Sequence, residues 1–164
     1  MIPSAARQIL LLVTGMFFML SSLHGYENFC EPEIQYIYVS ELTDSSGNIY
    51  LMGLVLGEAD MDPGEGKHIL SNGLGRSFIL KLDREGNFLW VKQLDADISD
   101  MVLDRDGNLV LTGSFWGDVD FDPDEGTHVL SVNGDGMFIL RLDPSGSFMN
   151  VLLIENAYPD VINQ

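Results

Sequence analysis

The sequence contains one cysteine, Cys30, among 164 residues. A disulfide framework within the chain is therefore excluded, and with three histidines there is little from which to build a zinc site. Basic residues are scarce as well: 8 Lys and Arg stand against 25 Asp and Glu, a formal charge of −17. Nucleic acid and anionic membrane surfaces are recognised through clustered Lys and Arg, so neither is an expected partner. Beyond residues 9–20 no stretch sustains a 3.6-residue helical period. A phosphate-binding glycine loop, a Ser-His-Asp set and a basic helix are all missing. "GLGRSF" contains G-x-G but opens a strand, so it carries no nucleotide signal.

What is present begins with a leader. Arg7 precedes the apolar run "ILLLVTGMFFML" at 9–20, and "SSLHG" follows with small residues. A run of that length is short for a bilayer span, so residues 1–25 read as a secretory signal, the competing reading being an uncleaved anchor. Removal takes away Arg7 and no acid, so the charge becomes −17 − 1 = −18. The mature protein is expected to be secreted or held at the cell surface, with no membrane span after cleavage. "ENFC" lacks the small residues that precede a lipidated cysteine, which leaves Cys30 a free thiol near the new N-terminus.

A repeat organises the remainder. Residue n placed against n+60 needs no gap, and residues 44–103 match 104–163 at 23 of 60 positions. "DSSGNIYLMGLVLGEADMDPGEGKHILS" lies on "DRDGNLVLTGSFWGDVDFDPDEGTHVLS", and "FILKLDREGNFLWV" lies on "FILRLDPSGSFMNV". Within each unit the pattern is short β-rich runs separated by "DSSGN", "DREGN", "DRDGN" and "DPSGS", whose Gly and Asn suit positive-φ hairpin turns. Four short antiparallel strands per unit are expected, with a longer loop between the second and third. Tandem four-stranded units of this length are what propeller blades look like. The fold class is therefore all-β: a β-propeller-type tandem repeat of two 60-residue blade units, a partial propeller. Its boundaries are 1–25 signal, 26–36 lead-in, 37–96 first repeat, 97–155 second repeat and 156–164 the start of a third.

"DRDGNLVLTGSFWGDVDFDPDEG" and "MFILRLDPSGSF" resemble the bacterial SBBP-type propeller repeats of long secreted proteins, over roughly residues 37–155. Those repeats combine D-x-x-G-N-x-x-x-x-G, an F-D-P-G element and F-I-x-K-L-D-x-x-G. The first unit departs from the pattern with "MDPG" and the second with "FDPD". The resemblance implies a fold and a secreted location, and no single activity. Propellers close their ring with four or more blades, so a piece of a longer protein or self-assembly of several copies is expected.

The acidic stretch "GDVDFDPDEG" raises the question of chemistry. If it is extended, Asp118, Asp120 and Asp122 share a face, and Asp124 follows. Oxygen ligands at alternate positions suit calcium, so these four, with Asp60 and Asp62 of the first unit, are the candidate metal ligands. Counted from Asp120, Glu125 and Ser131 occupy the places where an EF-hand has glycine and glutamate. A repeated turn ranks ahead of the cation site and can coexist with it: Asp62-Pro63 and Asp122-Pro123 open the loop and Gly66 and Gly126 close it. Catalysis by a carboxylate pair ranks below both, because acids that recur in each unit follow the repeat, whereas an active site is normally unique.

His68 and His128 recur before "ILS" and "VLS" and read as surface or hydrogen-bonded residues. "DRDGN" offers a cation Asp104, Asp106 and Asn108, against the hairpin reading. Phe78, Phe88, Phe138 and Phe148 read as core, and Trp116 as a core or half-buried strand residue with sugar stacking as the alternative. The expected role is non-catalytic: an extracellular repeat module that binds a protein or glycan. Its rivals are a calcium-binding adhesin-like module and a fragment of a propeller hydrolase.

Overall fold

The computed structural model describes residues 36–71 and 76–154. The expected signal segment 1–25, Cys30, nearly all of the lead-in and the start of a third repeat at 156–164 lie outside the described residues. Among those described every regular element is a strand, and no helix is long and apolar enough to cross a membrane.

The first sheet contains β1 (Tyr36–Thr43), β2 (Ile49–Val55), β5 (Arg76–Leu82) and β6 (Phe88–Leu94) in the order β1-β2-β5-β6. Between β2 and β5 the chain forms a small hairpin, β3 (Glu58–Asp60) with β4 (Ile69–Ser71). The second sheet contains β7 (Asp97–Leu103), β8 (Leu109–Asp120), β9 (Val129–Leu142) and β10 (Phe148–Ile154), ordered β10-β9-β8-β7. All the recorded pairings are antiparallel. The chain divides into two compact units after Val91, inside β6.

The expected long loop between second and third strands is shorter than the repeat suggested. In the second unit β8 and β9 run on as one hairpin, with Asp118 opposite Ser131 and Asp120 opposite Val129. In the first unit the same segments are β3 and β4, separated from β2 by Leu56 and Gly57. A register shift between Trp116 and Asp118, with Gly117 at φ 71°, marks the corresponding point of β8. A bulge there bends the hairpin without ending it.

Four turns of one design join the outer strands. In each, the aspartate backbone N–H donates to the carbonyl four residues on, and the glycine N–H donates back to the aspartate carbonyl at 2.9–3.1 Å. The aspartate Oδ1 also accepts the backbone N–H groups two and four residues ahead, as Asp104 does from Asp106 and Asn108. Where Asn occupies the fifth place, its amide donates to the second carboxylate oxygen. Gly47, Gly86, Gly107 and Gly146 have φ between 83° and 89°, a region that costs a residue with a Cβ about 1 kcal/mol or more. This repeated geometry sets the hairpin register.

Alternate residues of β8 and β9 make the core of the second unit: Leu109, Leu111 and Phe115 with Phe138, Leu140 and Leu142, all buried. Removing each such side chain from water contributes about 1.5–3 kcal/mol. The first unit buries Leu51, Val55, Ala59, Met61, Phe78, Leu80, Leu82 and Val91 as one cluster. On its other face Lys81 is only 6% exposed. Its ammonium lies 4.7 Å from the Tyr50 ring centre and 5.9 Å from that of Trp90, so the aromatic faces partly replace water around the charge. Gly113 lets β7 come close: a Cβ there would lie 2.0 Å from the Asp97 carbonyl oxygen and 2.9 Å from Phe138.

Candidate functional site

The repeated acidic loops occupy the far end of each central hairpin, residues 61–68 and 121–128. Each is closed at its root by one backbone bond, Met61 N–H to the His68 carbonyl (2.9 Å) or Phe121 N–H to the His128 carbonyl (3.0 Å). Within that frame the aspartates cap the backbone. Asp60 Oδ1 accepts the Asp62 N–H (3.1 Å) and the His68 N–H (2.9 Å). Asp120 Oδ1 does the same with Asp122 (3.1 Å) and His128 (2.7 Å). The next aspartate repeats the move: Asp62 accepts from Gly64 (2.8 Å) and Asp122 from Asp124 (3.0 Å).

The closing glycines are demanded by those carboxylates. A Cβ on Gly66 or Gly126 would lie 2.0 Å from the Oδ2 of Asp62 or Asp122. The spacing acid-x-Asp-x-Asp-Pro-x-x-Gly is thus a backbone requirement, written twice. Electrostatics agree. The His68 backbone N–H, and then that of Asp62, hold the Asp60 carboxyl below its ordinary range. The His128 and Asp122 N–H groups do so for Asp120. Each bond favours the charged form.

The candidate ligands are distributed as follows. Asp118 and Asp120 are exposed at the end of β8, with buried Val119 between them. The strand stops at Asp120, so the alternation that would have aligned Asp122 with them ends too. Asp122 is half-buried in the turn, and Asp124 is paired with the Lys92 ammonium. Asp60 ends β3, and Asp62 lies in the equivalent turn. Among the described residues no group of three or more His, Cys, Asp or Glu is arranged to hold a metal ion. Asp104 and Asn108 bond to each other in their hairpin turn, and Arg141 lies 3.6 Å from Asp104.

Three residues differ from expectation. Phe88 and Phe148 are half-buried, and each lies against a repeat histidine: His68 on Phe88 with ring centres 4.9 Å apart, His128 on Phe148 at 4.7 Å. The histidine is therefore the lid of an aromatic pair whose other member sits beyond the next turn, 20 residues later. No local pattern signals that contact. Trp116, expected in or near the core, is instead 73% exposed. It stands opposite Asp135 beside the Gly117 bulge, and the bulge re-aims the strand just before the acidic loop. In the first unit an open cleft of about 250 Å³ runs between the loop (Asp62, Glu65, Gly66) and the Gly86-Asn87-Phe88 turn.

Fold and site together define an all-β tandem repeat of blade-like four-stranded sheets, each carrying an acidic, self-capped loop. Neither a family model nor a solved structure matches the chain. Among curated proteins it is similar to an uncharacterized WD repeat-containing protein of Acanthamoeba polyphaga mimivirus, 28% identical over 92 residues. That likeness covers 44% of this chain and 7% of the relative. WD repeats are four-stranded propeller blades, and this chain has two four-stranded antiparallel sheets among its described residues.

Proposed function

We propose that this chain is a non-catalytic interaction module outside the cell, which binds a protein partner through the rim formed by Trp116 and the acidic loop of the second unit. One observation carries the reading. A tryptophan 73% exposed, beside Asp118 and Asp135, offers a large apolar face with carboxylates at its edge. Such aromatic residues dominate the energetics of protein contacts. The WD-repeat likeness supports a protein-interaction role, and the SBBP-type resemblance with the leader at 1–25 supports secretion. That Asp60, Asp62, Asp120 and Asp122 cap their own loops favours the turn reading over a catalytic role for these four carboxylates.

The test is an array of extracellular proteins and glycans probed with the full chain and with Trp116→Ala. Binding to proteins that falls at least tenfold in the variant, with an unchanged melt, supports the reading. Binding confined to glycans would replace the partner class. Hydrolysis of a glycan, lost in Asp120→Asn, would overturn it.

A further inference from the structure

Part of β9 stands outside its ladder. Trp116 pairs with Asp135 and Asp118 with Ser131, so Val132, Asn133 and Gly134 together face the single residue Gly117. Three residues against one make a bulge larger than the usual single insertion. Its base is packed: Val132 is half-buried, and its Cγ1 would lie 2.9 Å from a Cβ on Gly136. Its tip is open. Asn133 is exposed, and Gly134 has φ 103°, with no atom beyond its chain neighbours within 4 Å of where a Cβ would stand.

Asparagine is chemically labile when the next backbone nitrogen can reach its side-chain carbonyl carbon. That attack needs a nitrogen unhindered by a side chain and a backbone free to turn. Glycine supplies the first, and a segment outside the ladder supplies the second. The other asparagines among the described residues lack both. Asn48, Asn87 and Asn108 donate their amides to Asp44, Asp83 and Asp104 at 2.7–3.0 Å, and Ile49, Phe88 and Leu109 follow them. Asn150 pairs with Arg141 in the ladder and precedes Val151. Two Asp-Gly steps have the glycine without the freedom. Gly136 pairs with Phe115, and the Gly107 N–H donates to the Asp104 carbonyl at 3.1 Å.

We propose that Asn133 is a site of spontaneous deamidation, with water as the only co-reactant. Hydroxide takes the proton of the Gly134 backbone nitrogen, which attacks Cγ of Asn133. The new N–Cγ bond closes a cyclic imide, the Cγ–Nδ2 bond breaks, and the departing nitrogen takes a proton from water and leaves as ammonia. Water then opens the imide at either carbonyl. One opening gives aspartate; the other gives isoaspartate, in which the main chain runs through the former side chain. Nothing is oxidised or reduced. Each event adds one negative charge to a chain that already carries −17, and places it next to the Trp116–Asp135 pair. The bulge can absorb the extra backbone carbon of isoaspartate because no ladder pairing has to be preserved there. The site does not depend on the Trp116 reading.

The experiment is incubation of the full chain at mildly alkaline pH, folded and in urea, with each asparagine followed by peptide mass spectrometry and isoaspartate by enzymatic methylation. In the folded chain Asn133 is expected to convert at least about tenfold faster than Asn108 or Asn150, and faster as pH rises. Its folded rate is expected to lie within about tenfold of its rate in urea, because little opening is needed at a bulge. Asn133→Gln keeps the amide but moves it one carbon away, so residues 129–142 of that variant are expected to stay unconverted with an unchanged melt. A folded chain whose Asn133 stays intact overturns the proposal, whatever the urea sample does. So does a folded rate no higher than that of Asn150, or conversion within 129–142 that persists in the variant.

Discussion

Phe121→Ala tests whether the acidic loop is anchored as the structure implies. Phe121 is 0% exposed at the root of the loop, one residue past β8. Its ring meets Phe115 edge-on at 5.1 Å between centres and Phe138 at 4.8 Å. A buried phenylalanine removes about 150 Å² or more from water, which at about 25 cal/mol per Å² amounts to about 4 kcal/mol. Alanine retains about one carbon of that, while the two ring contacts and the cavity add to the loss, giving about 3–5 kcal/mol. For an ordered region of this size each kcal/mol corresponds to about 3–5 °C, so the melt is expected to fall by about 10–20 °C. The repeat supplies its own control. Met61 holds the equivalent place at 5% exposure, so Phe121→Met is expected to cost less than about 1.5 kcal/mol. The assay is thermal and urea unfolding followed by circular dichroism. A loss below about 1 kcal/mol for Phe121→Ala would refute the reasoning, because the loop root would then not be part of the core.

Further consequences can be checked with the same assays. Gly113→Ala is expected to abolish soluble folding, since its Cβ would lie 2.0 Å from a backbone oxygen of β7 that cannot move without parting the strands; a melt within a few degrees of wild type would contradict this. Gly126→Ala is expected to cost about 1 kcal/mol, because the Asp122 carboxylate must swing away and give up the Asp124 N–H; the measurement is the difference in urea midpoint. Backbone N–H groups of His128 and Asp122 depress the Asp120 carboxyl. Their stabilisation is therefore complete above the unfolded value of about 3.9 and lost as pH falls through the folded value. The melting difference between wild type and Asp120→Asn is expected to be constant from neutral pH to about pH 5 and to close below about pH 4; a difference unchanged at pH 2 would count against the capping role. Calcium at millimolar concentration is expected to shift the melt by less than about 1 °C, whereas a rise of several degrees would show the loop carboxylates regrouping around an ion.

The sequence alone determined the local geometry and its repetition. An Asp-x-x-Gly turn is specified within five residues by a carboxylate that reaches its own backbone and a glycine that tolerates positive φ. Its recurrence fixed eight of the strands, and the phenylalanines it repeats identified Phe78 and Phe138 as core. The reading of Asp62-Pro63 and Asp122-Pro123 as turn openers is legible for the same reason, since capping is a short-range matter. The tertiary structure decided what depends on partners distant in the chain. It extended the central hairpin past the expected loop and ended the strand at Asp120, which took Asp122 out of line with its neighbours. It placed His68 on Phe88 and His128 on Phe148, and it turned Trp116 outward at a bulge. It also separated equivalent residues, burying Ile79 and leaving Ile139 half-covered, although the repeat writes them identically. Burial depends on what lies across a face, and periodicity along one strand carries no record of that neighbour.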